Sequence, residues 1–172
     1  GKSCDMMAEI RTPGKKARLN VKEFLAAMAN LDMNPYTREE DYPLVLSTTC
    51  RTWANLNTLY RDETWIRKNT QENSLRMNPG DASEQGLRDG DRARLTTRGG
   101  EGSVPVSLSE DVSPGCVFLS HGWGLSSRDP DTDPGEKRGV DAARFLCDEE
   151  GDVFSGMPFY SGVACRVEKA QD

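Results

Sequence analysis

The residues best equipped for chemistry gather in two places. One is Ser47-Thr48-Thr49-Cys50-Arg51-Thr52-Trp53-Ala54-Asn55-Leu56-Asn57-Thr58, where an apolar run gives way to hydroxyls, a guanidinium and side-chain amides. Arg forms bidentate, charge-assisted bonds, and with so many N–H and O–H donors beside it the segment suits the oxygens of a diphosphate or nucleotide. An ordered polar loop is the plainer reading of the same residues. The other place is His121-Gly122-Trp123-Gly124. Its two glycines would let backbone approach a ligand closely, or would make a turn that Trp123 anchors.

Other chemistries find little support. His121 is the only histidine, and no G-x-S-x-G elbow is present, so a Ser–His or Cys–His nucleophile is not indicated. The phosphate loop G-x-x-x-x-G-K-[ST] and the dinucleotide fingerprint G-x-G-x-x-G are missing. Cys4, Cys50, Cys116, Cys147 and Cys165 include no C-x-x-C pair. That argues against a structural zinc or an iron–sulfur cluster, and most of the five are expected to be small buried hydrophobes. The carboxylate pairs Glu39/Glu40, Asp131/Asp133 and Glu149/Glu150 lie in polar runs and read as solvated faces. No catalytic residue and no metal ligand follow from the sequence.

Charge narrows the partners. With 22 Lys+Arg against 28 Asp+Glu over 172 residues, the net charge is −6, the wrong sign for neutralising nucleic-acid phosphates. No apolar run reaches the roughly 18 residues of a membrane-spanning helix. No apolar leader follows the first residues, so a soluble, cytoplasmic protein is expected.

The elements that must position these residues are mostly strands. Residues 1–34 read as a linker with one amphipathic helix at 21–31, on Val21, Phe24, Leu25, Met28 and Leu31. Asn20-x-x-Glu23 has capping-box spacing at its start, and Asn34-Pro35 follows its end. Residues 35–172 read as one domain. Strands are predicted near 43–49, 91–97, 102–108, 116–120 and 162–168. Asp81-x-x-Glu84 predicts a second capping box on one or two helical turns at 81–86. Arg98-Gly99-Gly100 is a hairpin turn, and Pro105 suggests an edge-like or irregular strand. Residues 50–75, with Trp53 and Trp65, and residues 125–138 are long loops. The pattern is mainly β with short helices, a small and mostly antiparallel barrel.

From Tyr42 to Glu168 the chain resembles the C-terminal molybdopterin-dinucleotide-binding domain of the dimethyl-sulfoxide-reductase superfamily, which includes formate dehydrogenases and nitrate reductases. The family's T-T-G-R, then H or N, then T, is met by Thr48-Thr49-Cys50-Arg51, Asn55 and Thr58. Its N-P-x-D-A stretch and D-G-D turn are met by Asn78-Pro79-Gly80-Asp81-Ala82, Gly86-Leu87 and Asp89-Gly90-Asp91. Its P-G-x-V-F and H-W-G pieces are met by Pro114–Phe118 and His121–Gly124, and its closing strand by Gly156-Met157-Pro158-Phe159-Tyr160 through Arg166-Val167-Glu168.

The resemblance implies a double-psi β-barrel that clamps bis(molybdopterin guanine dinucleotide), the metal being Mo or W held by the cofactor and by a side chain from another domain. The partners would be the other domains of a parent oxidoreductase, joined through the 21–31 helix, and the isolated domain would lack the cofactor. Loops 50–75 and 125–138 would then be mobile. The residues implied at the cofactor are Thr48, Thr49, Arg51, Asn55, Asn57, Thr58, His121 and Trp123. Asp141 or Arg144 takes the place of a family Asn, and Ser161 that of a family Lys. Cys50 stands where relatives have Gly, and Asp141 would be repelled by a diphosphate. Two other readings use the same barrel. One is a protein-interaction module working through an apolar groove. The other is a self-processing decarboxylase cleaving at Gly102-Ser103.

Overall fold

The computed structural model describes residues 11–12, 14, 16–17, 20–30, 39–52, 58–60, 63, 65, 68, 72–126, 137–147, 151–152 and 154–170. The chain divides into two units, Gly1–Pro35 and Tyr36–Asp172.

In the first unit, helix α1 spans Lys22–Ala29. Val21 is its N-cap and offers no side-chain hydrogen bond, so the predicted Asn20–Glu23 capping box does not form. The helix starts one residue late for it: Glu23 falls at the second helical position, where its side chain cannot reach back to Asn20 in the reciprocal arrangement. No residue of α1 is buried, and Phe24, Leu25 and Met28 are at least half exposed. Leu31, Asn34 and Pro35 lie outside the described residues.

In the second unit six strands close into a barrel of the double-psi type. They are β1 (Leu44–Ser47), β2 (Leu75–Met77), β3 (Arg92–Thr97), β4 (Glu101–Leu108), β5 (Cys116–Leu119) and β6 (Ser161–Lys169). Around the barrel the order is β1-β5-β2-β4-β3-β6, with β6 returning to β1. The β1–β5 and β2–β4 pairs are parallel, and the other four are antiparallel. Alternate residues point inward, as the two-residue strand period requires. Leu44 and Leu46 thus meet Leu75, Met77, Ala93, Leu95, Val104, Val106, Val117, Leu119, Val163, Cys165 and Val167 in one core. Each fully buried aliphatic side chain there contributes about 1.5–3 kcal/mol relative to exposure.

Several local expectations need correcting. Strand β2, which the sequence reading does not anticipate, begins at Leu75, the last residue of the long loop expected at 50–75. Helix α2 (Pro79–Glu84) is capped by Asn78, whose Oδ1 accepts the Gly80 N–H at 2.8 Å, rather than by Asp81. Pro79, with no N–H to lose, takes the first helical position. Asp81 instead accepts the Gly115 N–H at 2.7 Å, which ties α2 to the turn before β5. Pro105 lies in a strand with neighbours on both sides, yet at Pro105 itself only β3 is paired, so the strand is edge-like there as expected. The Val106 N–H donates toward β3, to Asp91. Alternation therefore turns the Pro105 nitrogen toward β2, one residue before that ladder begins at Leu75–Val106. Of the described cysteines, Cys165 is buried while Cys50, Cys116 and Cys147 are half-buried: Cys116 is at an outward position of β5, and Cys50 and Cys147 lie in the segments that follow β1 and the short helix at Ala142–Phe145. Trp65 is half exposed.

The motifs around α2 and β3 are staples of this barrel. Asn78 Nδ2 donates to the Val112 carbonyl at 2.8 Å. Asp89 accepts the Leu108 N–H at 2.8 Å. Asp91 accepts from the Arg88 N–H at 3.0 Å and from Lys169 Nζ at 3.1 Å. Lys169 above all, then the Arg88 N–H, hold the Asp91 carboxyl below its ordinary value. The hairpin turn at 98–100 forms as predicted, with the Thr97 N–H donating to Gly100 at 2.9 Å.

Candidate functional site

The parallel pairing of β1 with β5 sends both strand exits to the same mouth of the barrel. Antiparallel β6 begins there too, with Ser161 opposite Ser47. Two segments some seventy residues apart, Thr48–Arg51 and Ser120–Gly124, are thereby side by side. His121 Nδ1 lies 3.0 Å from the Thr48 carbonyl oxygen. A carbonyl only accepts, so this nitrogen carries the hydrogen. The Thr48 N–H and hydroxyl both donate to the Tyr160 carbonyl, at 2.7 and 3.0 Å. Thr48 is only 2% exposed; its hydroxyl is an internal anchor that aligns the exits of β1 and β5 with the entry of β6.

Next to these exits runs the segment 137–147, with a short 3-10 helix at Ala142–Phe145. Phe145 is fully buried in the core, and its carbonyl accepts from the Thr97 hydroxyl at 2.8 Å. Gly99 and Gly100 make room for this helix, since a Cβ on Gly99 would lie 2.1 Å from the Leu146 oxygen. Gly124 allows the other close approach. Its φ is +73, and a Cβ there would lie 2.3 Å from the Asp141 nitrogen. The His121–Gly124 turn can therefore rest directly against the backbone of Asp141.

Together these pieces enclose a cavity of about 340 Å³ lined by Thr48, Thr49, Arg51, His121, Asp141, Ala142, Ala143, Leu146 and Tyr160. Five predicted site residues meet there: Thr48, Thr49, Arg51, His121 and Asp141. Arg51 is exposed and makes no hydrogen bond or ion pair among the described residues. Asp141 Oδ1 accepts the Ala143 N–H at 3.0 Å. Trp123 is 7% exposed, and its indole Nε1 is buried with no hydrogen-bond partner among the described residues. Ser161 joins Ser47 and Thr49 in a triangle of hydroxyls at 2.9–3.3 Å, but lines a neighbouring groove with Val45, Cys116 and Phe118. Arg144 lines a different cavity, with Arg94, Glu101 and Ser103. Thr58 takes a left-handed φ of 74, uncommon for a β-branched residue. Asn55 and Asn57 lie outside the described residues, as do most of 50–71 and all of 127–136. The loop at 125–138 is closed at its base by a bridge between Ser126 and Lys137.

One organising residue escapes sequence reading. Asn73, 3% exposed, donates through Nδ2 to the carbonyls of Ser120 at 2.8 Å and Val140 at 3.0 Å, and accepts the Val140 N–H at 2.9 Å. It fastens the segment carrying Asp141 to the exit of β5. Its signal in the sequence is a lone Asn in the polar run before Leu75-Arg76-Met77, which nothing distinguishes from a loop amide.

The family model for the molydopterin dinucleotide binding domain matches residues 44–164. The chain belongs to this family. Among curated relatives, a tetrathionate reductase polypeptide of Salmonella typhimurium is 40% identical over 52 residues, 30% of this chain and 5% of that protein. The alpha chain of F420-dependent formate dehydrogenase 2 of Methanococcus maripaludis is 31% identical over 83 residues, 48% of this chain and 12% of that one. The match thus spans a small part of each relative's length. The structure of acetylene hydratase from Pelobacter acetylenicus superposes with a TM-score of 0.60 at 19% identity, covering 76% of this chain and 19% of that one; it shares the fold. The barrel is thus a molybdopterin-dinucleotide-binding domain. Among the described residues no helix is long and apolar enough to cross a membrane.

Proposed function

We propose that this domain clamps bis(molybdopterin guanine dinucleotide), carrying Mo or W, at the β1–β5 mouth as part of a larger oxidoreductase. The observation that carries the reading is the convergence of Arg51, Thr49, His121 and Asp141 on one cavity. The residues present fit the group. Arg51 suits phosphate oxygens, Gly124 allows backbone to come close, and the buried Trp123 Nε1–H is an indole donor without an acceptor among the described residues. Asn55, Asn57 and Thr58 belong to the same clamp in this reading. Asp141, not Arg144, holds the place of the family Asn.

When bound, the cofactor supplies the metal and its redox chemistry; the domain contributes position and electrostatics. Residues 1–34 would join the barrel to the parent polypeptide. The exposed Phe154, Met157 and Phe159 would be covered by its other domains. Replacing Arg51 by Ala in the parent enzyme tests the reading. Retention of molybdopterin and metal should fall while the barrel stays folded; an Arg51→Ala enzyme with full metal and pterin content would refute the clamp.

A further inference from the structure

Asp141 presents a problem that its surroundings answer. It is an acceptor-only carboxylate lining a cavity shared with Arg51 and His121, in a domain whose cofactor contains a diphosphate. Like charges repel at close range, so the phosphates are a poor partner for Asp141. Neither is it used up internally. Oδ1 accepts the Ala143 N–H, while Oδ2 has no partner and the carboxylate makes no ion pair with Arg51 among the described residues. Its place is also well fixed. Asn73 holds Val140 on both backbone groups, Gly124 packs against the Asp141 backbone, and Phe145 roots the following turn in the core.

We infer that Asp141 recognises a planar ring that presents a ring N–H next to a 2-amino group. The inference rests on the cofactor reading above and adds which end of the cofactor this residue holds. A carboxylate offers acceptors in the plane where such an edge offers paired donors, the same complementarity that makes guanidinium–carboxylate pairs specific. Guanine and the pterin ring share this edge. Arg51, at the exit of β1 and unpaired among the described residues, then takes the phosphates. Opposite charges on two walls of one cavity thus fix the direction in which the ligand lies.

The test uses the full chain and two probe pairs that differ in the 2-amino group: guanosine diphosphate against inosine diphosphate, and pterin against lumazine. Binding is read from chemical-shift titrations of the mouth residues. Wild type should prefer the 2-amino member of at least one pair by about tenfold, since a site built for a donor rejects the analogue lacking it. Preference in the nucleotide pair assigns the contact to guanine; preference in the pteridine pair assigns it to the pterin.

Asp141→Asn keeps an oxygen for the Ala143 N–H, and Asn is as good a cap as Asp, so the fold is retained. It turns an acceptor into a donor, and the preference should drop below about threefold. Equal affinities within both pairs, or a preference that persists in Asp141→Ala, would overturn the assignment and leave the cofactor reading standing. If all four probes leave Thr49, Arg51 and His121 unshifted at millimolar concentration, the cofactor reading falls, and this inference with it.

Discussion

The side chain of Asn73 meets Val140 on both of its backbone groups, accepting the N–H at 2.9 Å and donating to the carbonyl at 3.0 Å. Its remaining N–H reaches Ser120 at 2.8 Å. One buried amide thus sets the spacing between the exit of β5 and the segment that carries Asp141. Asn73→Ala removes all three bonds and leaves the buried Ser120 carbonyl and the two half-buried groups of Val140 unmatched. Each such group costs about 1–3 kcal/mol, so denaturant unfolding should show a loss of at least that size. Amide shifts should concentrate at His121 and at 139–143. A variant as stable as wild type would remove Asn73 from this role.

Gly124 makes a second prediction about the same contact. Its positive φ and the 2.3 Å gap to the Asp141 nitrogen leave no room for a Cβ. Gly124→Ala should shift the backbone resonances of 140–142 and lower thermal stability. Gly86→Ala is the comparison. Gly86 has a similar φ of +65, but a Cβ there meets nothing within 4 Å. It should leave 140–142 undisturbed.

Phe145 roots the 3-10 helix in the barrel. It is fully buried, with its ring against Gly102. Phe145→Ala should cost about 3–5 kcal/mol in equilibrium unfolding, from lost burial and the cavity left behind. A loss below about 1 kcal/mol, far under that range, would mean that the segment is held from elsewhere.

How much of this could be read from the sequence depends on range. Strands β3, β4 and β6 are legible because their apolar residues alternate, and β1 and β5 because each is a short continuous apolar run, β5 directly after a Pro-Gly turn. Strand β2 is not: Leu75-Arg76-Met77 is too short for periodicity and sits between polar residues that dominate its window. Arg51 and His121 stand out by type and spacing, yet their meeting depends on a parallel pairing between strands seventy residues apart, which no local pattern encodes. Asp81 and Asn78 show the opposite limit. The capping signal is real, but Pro79 moves it to Asn78, and Asp81 goes to a long-range contact with Gly115. Asp141 and Arg144 are three residues apart in a loosely patterned stretch, and only the packing of Phe145 separates their directions.

The Asp91–Lys169 contact predicts a pH effect of definite sign. Asp91 is held below its ordinary value of 3.8, first by Lys169. A carboxyl whose pKa is depressed on folding stabilises the fold above its unfolded pKa, and that stabilisation is lost as pH falls through the folded value. Carboxyl titration by NMR should give Asp91 a midpoint under 3.8, and Lys169→Met should move it upward. The exposed pair makes a small contribution to stability, so the shift in midpoint is the quantity to read. An unchanged midpoint in Lys169→Met would show that Lys169 is not its cause.

The central claim is that this barrel holds a molybdopterin dinucleotide at the mouth formed by β1 and β5. It is tested most directly on the native protein that contains this sequence, captured from its source with an antibody to the domain. Molybdenum and tungsten would be measured, together with the fluorescence of oxidised pterin released on denaturation. The account predicts metal and pterin in fixed ratio, on a polypeptide much longer than 172 residues. Native protein carrying neither metal nor pterin would contradict it.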